Sequence, residues 1–259
     1  KSPEVWTSSI DNGIIVYGIE NNEVPLVQFD LTIPGGHLLD FKGKEGVGSL
    51  LSDLMMEGTA SKTPAELEEA IGLLGASISV YSANEDFHIV GSCLTKNFKS
   101  TMALVKEILL EPRWDQKEFD RLKQALETSL KGREANPNVI ASSVMNKLIF
   151  GDKHMFSIPG SGTLNTIKTI TVDDLKSYYK NLSPKKATFH VAGAITEGEA
   201  SKTISTLNDF NGINIILPKQ ELPSESKAGN LYFVDVPGSK QSVIMIGKLV
   251  LSATDENAN

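Results

Sequence analysis

The spacing of apolar residues changes repeatedly along this chain, and the order of those changes restricts its fold more than any other feature. Apolar residues alternate in some segments and recur every three to four residues in others, which distinguishes strands from helices. The resulting order is strand, strand, helix, helix, strand, strand, three helices, a further helix, strand and helix. This order predicts an α+β fold with a mixed, mostly antiparallel sheet and helices packed on one face, because a doubly wound sheet needs regular alternation.

Two pairs of strands are predicted early in the chain. The segments GIIVYGIE and PLVQFDLTIPGG lie on either side of Asn21-Asn22 and predict a first hairpin. The segment ASISVYSANEDFHIVGSCL alternates about residues 82–86 and predicts a second hairpin. A later apolar run, ATFHVAGAI, predicts a buried strand.

Helices are predicted from apolar spacing and from capping residues. Val47 to Met55 have helical spacing and are followed by Gly58. Thr63-Pro64 and Asn136-Pro137 each place a capping residue before a first-turn proline. Further helices are predicted in residues 97–110, after Asp115, before Ser183-Pro184 and in GEASKTISTLNDF, while residues 151–163 are predicted to be a loop.

The chain divides into three predicted parts. Residues 1–217 are predicted to form one α+β domain, and residues 218–230, rich in Pro, Lys, Glu and Ser, are predicted to form a linker. Residues 231–259 contain two more predicted strands around Val236-Pro237-Gly238-Ser239. Two strands cannot bury a core by themselves, so we expect them either to join the sheet of the first domain or to be the leading strands of a following, truncated domain.

Charge and cysteine content exclude several classes of protein. A formal net charge of -7 and a pI near 5.2 disfavour nucleic-acid binding, which needs a concentrated basic surface. The single cysteine, Cys93, cannot form an intramolecular disulfide and gives no indication of compartment. No run reaches the ~20 apolar residues that span a bilayer, so no membrane span is expected.

Two long segments resemble a known family. PLVQFDLTIPGGHLLDFKGKEGVGSLLSDLMMEGTASKTPAELEEAIGLLGASISVYSANEDFHIVGSCL and REANPNVIASSVMNKLIFGDKHMFSIPGSGTLNTIKTITVDDLKSYYKNLSPKKATFHVAGAI are similar to parts of pitrilysin/insulinase-type zinc metallopeptidases of the mitochondrial processing peptidase kind. The similarity extends from about Gly13 to Asn208, and residues 236–242 resemble the opening strand of a sister domain. The resemblance implies this family's fold.

The family's catalytic residues have no counterpart here. Catalytic members carry an inverted zinc motif, His-x-x-Glu-His, in which two imidazoles hold the metal and the Glu takes a proton from bound water. Alignment on the flanks 46–48 and 58–59 places Ser49, Ser52 and Asp53 at the motif positions. Neutral serines are poor zinc ligands, and a single carboxylate at Asp53 leaves the metal without enough ligands. Ser52 cannot act as a general base near pH 7, so we expect neither zinc nor catalysis on this chain.

The family's third ligand is a Glu on a later helix. The register carried back from Asn136-Pro137 places it between Thr128 and Leu130, and the nearby Glu127 is one or two positions away, so it is not assigned. No two of the four histidines are three to five residues apart, although folding could still assemble a dispersed site: His37, His88, His154 and His190.

The remaining candidates favour structural roles. Asp53 and Glu57 could bind a cation but are more typical of a solvated acidic face, and Cys93 is more typical of a buried inert thiol than of a nucleophile. The glycines at 35–36 and 160–162 match no phosphate-binding motif and predict backbone turns. Core filling is favoured over a peptide groove for a set of four methionines, Met55, Met56, Met102 and Met145.

The resemblance implies a non-catalytic lobe that completes a substrate chamber and binds a catalytic, zinc-bearing half, with peptide as the substrate of the pair. Two alternatives remain open at this point. The parent polypeptide could be a zinc protease whose active half lies elsewhere in the same chain, or the chain could be a stand-alone binding or assembly subunit. The sequence leaves the compartment unknown, and resemblance to bacterial members suggests the periplasm.

Overall fold

A computed structural model describes residues 3–133, 135–221 and 230–250. Its sheet has six strands in the spatial order β1-β2-β6-β3-β5-β4. Among these strands β2 and β6 are parallel, and the other neighbours are antiparallel. The predicted mixed, mostly antiparallel sheet is therefore confirmed. In chain order the strands are β1 (Trp6–Ser9), β2 (Ile15–Glu20), β3 (Leu26–Pro34), β4 (Ser77–Ser82), β5 (Asp86–Leu94) and β6 (Thr188–Gly193).

The first predicted hairpin is wrong, although both of its strands exist. β6 lies between β2 and β3, parallel to the first and antiparallel to the second. Its alternating buried residues, Phe189 and Val191, suit a central position, and they reach the sheet from more than 150 residues away along the chain. The short strand β1 was not predicted. It packs the Trp6 ring where a side chain on Gly18 would otherwise lie.

The predicted helices form, and their bounds follow the capping residues. Thr63 and Asn136 cap helices that begin at the following prolines, and Thr171 and Thr196 form capping boxes. A short helix between residues 164 and 169 was not predicted. The helices are α1 (Val47–Met55), α2 (Pro64–Leu73), α3 (Phe98–Leu110), α4 (Gln116–Arg133), α5 (Pro137–Phe150), α6 (Leu164–Thr169), α7 (Val172–Tyr179) and α8 (Glu197–Ile204). Within the described ranges, no helix has the length and apolar character needed to cross a membrane.

The core lies on one face of the sheet. In β3, Val27, Phe29, Leu31 and Ile33 are buried, whereas the residues between them are half-buried or exposed. The buried face joins one apolar cluster with residues of α1, α3 and α7. The helices therefore cover one face, as predicted. In β3, the described side chains on the other face are half-buried or exposed, and that face is called the open face below.

Residues 230–250 contain no assigned strand. They run as irregular chain with a turn in which the Ser239 amide donates to the Val236 carbonyl at 3.1 Å. The two predicted strands do not form here because a strand needs a neighbour for its ladder hydrogen bonds. The predicted linker falls largely on residues 222–229, and the predicted end of the second strand falls on 251–259, both outside the described residues. The division into domains stays a prediction.

Candidate functional site

Helix α1, which carries the degenerate motif positions, is held very close to its neighbours. Gly48 lies in its first turn, where a Cβ would be 2.7 Å from Ser82 Oγ and 3.1 Å from Tyr178 Oη. Gly46 caps the helix with a left-handed φ of 106°, a conformation that favours glycine. The glycines of the segment GVG therefore let α1 approach β4 and α7, and they fix where the motif positions point.

The start of α1 is anchored by a buried carboxylate. Asp40 accepts hydrogen bonds from the amides of Gly46 and Gly48, both at 2.8 Å. It also contacts His37 Nδ1 at 2.8 Å. A negative charge is favourable at the amino end of a helix, where unpaired amides point outward. These bonds fix the first turn of α1 just before Ser49.

Of the three motif positions, Asp53 alone carries an ionisable side chain. Ser52 is buried, and its hydroxyl donates to the Ser49 carbonyl at 2.7 Å, as an intrahelical bond. Asp53 is exposed and lies one turn from Glu57. Partial desolvation and the Glu57 charge raise the pKa of the Asp53 carboxyl. Glu57 pairs with Arg121 Nη2 at 2.6 Å.

The predicted location of the third ligand lies on α4, which packs against α1. Glu127 is half-buried, and Thr128 donates its hydroxyl to the Gln124 carbonyl at 2.9 Å. Leu130 points into the core. Over the described part of the chain, no group of three His, Cys, Asp or Glu side chains is arranged to hold a metal. The donor set around α1 does not fit zinc.

The histidines lie in separate environments. His37 is buried beside Asp40, and His154 is buried and accepts from the Phe156 amide through Nδ1 at 3.1 Å. On the open face of the sheet, His88 Nδ1 lies 3.0 Å from Asp30 Oδ1, and His190 stacks on the neighbouring strand's tyrosine with ring centroids 5.6 Å apart. The Asp30–His88 contact joins residues 58 apart in sequence, so no local pattern could have predicted it.

The other candidates have structural surroundings. A Cβ on Gly36 would lie 2.4 Å from the Ala83 carbonyl oxygen, so this glycine permits a close backbone approach. Cys93 is buried, and desolvation raises the pKa of its thiol. Met55 and Met102 lie in the core, in agreement with the favoured core role, whereas Met145 is half-buried next to Gly247.

Comparisons with known proteins agree with this architecture. Residues 16–156 match the family described as Insulinase (Peptidase family M16). The chain is 21% identical over 187 residues to a Bacillus subtilis protein named uncharacterized zinc protease YmxG, covering 72% of this chain and 46% of that protein. It is 22% identical over 197 residues to a Helicobacter pylori protein named non-peptidase homolog YmxG, covering 76% and 44%.

A solved structure, titled the inactive domain of a peptidase M16 from Pseudomonas fluorescens, shares the fold. It superposes with a TM-score of 0.79 at 20% identity, covering 85% of this chain and 54% of that one. The chain thus spans about half the length of the curated relatives it matches. Because the family match covers more than half of the chain, the protein belongs to the insulinase-type peptidase family M16.

Proposed function

We propose that this chain is a non-catalytic lobe of a pitrilysin/insulinase-type zinc peptidase, which completes the substrate chamber and binds the catalytic half. The observation that carries the proposal is the chemistry of α1. Two of its three motif positions are serines, and the third, Asp53, is a single exposed acid. No peptide-cleaving centre can be built from these groups alone.

A catalytic zinc takes three protein ligands and activates a water, which a nearby base deprotonates. The Ser52 hydroxyl is already bonded to the Ser49 carbonyl and has no basicity near neutral pH. Asp53 offers a single carboxylate, which leaves a zinc ion short of the three protein ligands that catalysis needs.

The relatives support a pairing role. One of them is named a non-peptidase homolog, and the superposed structure is titled an inactive domain. Since the chain matches about half of each relative, a second half of similar size would supply the rest of the chamber. In this proposal zinc is bound by the catalytic half, and peptide is the substrate of the pair. A periplasmic location belongs to the same proposal, and cell fractionation tests it.

A second candidate is favoured by the same half-length match. The parent polypeptide would itself be a zinc protease whose active half lies elsewhere in the chain, as the name of the Bacillus subtilis relative suggests. A His-x-x-Glu-His motif in the adjoining coding sequence would support this candidate over a separate catalytic subunit.

The test is zinc stoichiometry and peptidase activity on the chain itself. The chain is dialysed after incubation with equimolar zinc, its metal content is measured by mass spectrometry, and a mixture of quenched fluorescent peptides reports cleavage. We expect no stoichiometric zinc and no cleavage. Equimolar zinc that is lost on Asp53→Asn, or cleavage that a chelator abolishes, would overturn the proposal.

A matched variant checks the register of the motif. Combining Ser49→His, Ser52→Glu and Asp53→His restores the two imidazoles and the base on α1, and it should bind more zinc than the unmodified chain. Pairing is tested separately by gel filtration with a zinc-bearing half from the same family. Co-elution with a gain of peptidase activity supports the chamber role, and separate elution without gain counts against it.

A further inference from the structure

The most unusual polar group outside α1 is the buried side chain of His37. Its ring is 2% exposed and lies in the short helix Gly36–Leu39 that precedes α1. Nδ1 lies 2.8 Å from Asp40 Oδ2. Nε2 lies 3.1 Å from the Met155 carbonyl and 2.9 Å from the Ile158 carbonyl. Both ring nitrogens therefore face oxygen acceptors.

This geometry favours the imidazolium form. A neutral imidazole donates from one nitrogen only, so the lone pair on its other nitrogen would face a carbonyl or carboxylate oxygen. Desolvation by burial is the largest single influence and lowers the pKa of His37, but the hydrogen bond and charge of Asp40, with the two carbonyls, outweigh it. The net effect raises the pKa of His37 above 6.5.

The proton on Nε2 has a structural consequence. We call residues 154–160, which lie between α5 and α6, the latch segment. The Nε2 proton is shared between two carbonyls of this segment. Phe156 stacks on the His37 ring with centroids 6.3 Å apart, and a Cβ on Gly160 would lie in ordinary contact with that ring, 3.5 Å from its Cγ. Helix α5, immediately before this segment, has no fully buried side chain, so it depends on contacts such as these.

The other side of the latch segment contacts the chain that leads toward the predicted sister domain. The Met155 amide donates to Gln220 Oε1 at 2.8 Å. Just before the segment, Lys153 pairs with Glu221 at 3.3 Å. A change in how His37 holds the segment would therefore reach residues 220–221.

Other ionisable groups surround this region on each neighbouring element. Glu45 precedes α1 and accepts from the Gly43 amide, and Tyr178 of α7 donates to the Gly36 carbonyl at 2.6 Å. His154 begins the latch segment, and burial lowers its pKa. Asp86 lies at the β4–β5 turn, where desolvation raises its pKa. The raised pKa of His37 arises from Asp40 and the two latch carbonyls.

We propose that His37 is a proton-operated latch. As an imidazolium it fastens the latch segment to the anchored start of α1, and loss of the Nε2 proton as the pH rises releases the Met155 and Ile158 carbonyls. His37 keeps its Nδ1 proton in both states, because the Asp40 carboxylate accepts a hydrogen bond from Nδ1. The inference concerns the fold of this chain and does not require the proposed pairing role.

The test is an NMR titration of the intact chain. The His37 imidazole is followed between pH 5 and 9 together with the backbone amides of residues 155–158 and 160. We expect His37 to titrate above its ordinary value of 6.5 and the latch amides to shift with the same midpoint. A midpoint at or below that value, or latch amides that do not follow it, would overturn the proposal.

Two variants complete the experiment. His37→Gln is neutral at every pH, so its latch amides should exchange faster than in the parent chain. They should show no titration with a midpoint above 6.5, because the pKa of His154 in the same segment is lowered. His190→Gln is the matched control, because His190 is exposed on the open face of the sheet and should leave the latch midpoint unmoved. If His37→Gln fails to fold, the titration of the unmodified chain still decides the question.

Discussion

Replacing Gly48 with alanine should destabilise the chain, although alanine is the better helix former. The new methyl group would lie 2.7 Å from Ser82 Oγ and 3.1 Å from Cζ and Oη of Tyr178. The serine hydroxyl can rotate away. Tyr178 cannot easily move, since it is fully buried, donates to the Gly36 carbonyl at 2.6 Å and packs on Phe87 with centroids 6.3 Å apart.

The magnitude follows from two opposing terms. Forcing a methyl group into a packed site costs about 1–3 kcal/mol. Replacing glycine by alanine within a helix returns up to about 1 kcal/mol. With about 2 kcal/mol for the packing cost and about 1 kcal/mol for the helix gain, the net loss for Gly48→Ala should be about 1 kcal/mol, because α1 must shift away from β4 and α7.

Equilibrium unfolding in urea measures the difference, with the midpoint and slope compared between variants. Gly72→Ala is the matched control, since Gly72 lies near the end of α2 and a Cβ there would meet nothing within 4 Å. It should be neutral or stabilising by up to about 1 kcal/mol. If Gly48→Ala matched or exceeded the parent chain in stability, the close approach of α1 would be refuted.

Three further substitutions test charges and a buried hydroxyl. Asp53→Asn should raise the free energy of unfolding by about 0.2–0.5 kcal/mol at pH 7, because it removes repulsion from Glu57. The folded pKa of Asp53 is raised, so both forms are neutral at low pH and the gain should vanish at pH 3. Glu107→Gln should lower the free energy of unfolding by about 1.5–3 kcal/mol at pH 7, since the Glu107 carboxylate accepts a hydrogen bond from Lys62 Nζ at 2.6 Å. The folded pKa of Glu107 is lowered, so this loss should disappear as the pH falls through the folded pKa. Tyr178→Phe should cost about 1–3 kcal/mol by leaving a buried carbonyl without its donor.

Chemical denaturation at pH 7 and pH 3 measures all three. A gain for Asp53→Asn that persists at pH 3 would contradict the charge argument, as would a pH-independent cost for Glu107→Gln. For Tyr178→Phe, unchanged stability would show that the carbonyl finds water instead.

Local patterns were sufficient for many elements. The spacing from Val47 to Met55 predicts α1, and the caps at Thr63 and Asn136 predict where α2 and α5 begin. The β4–β5 hairpin was also predicted correctly, because its strands pair across a turn between Ser82 and Asp86. In each case the residues that decide the structure are close neighbours in sequence.

The motif positions on α1 were also accessible from sequence, since Ser49, Ser52 and Asp53 lie between recognisable flanks. The assignment of these positions stays a prediction until the zinc experiment tests it. Their surroundings were not accessible. The Ser52 hydroxyl bond and the Arg121–Glu57 pair depend on helix geometry and on α4 packing beside α1.

The sequence by itself determined the class of fold and most of the helices, because each depends on short-range periodicity or on capping residues. Tertiary structure alone decided that β6 enters between β2 and β3, that Gly48 faces Tyr178, and that His37 binds Met155. These contacts join residues more than 100 positions apart. Packing and hydrogen bonding select them only once the helices and strands are assembled, so no local pattern records them.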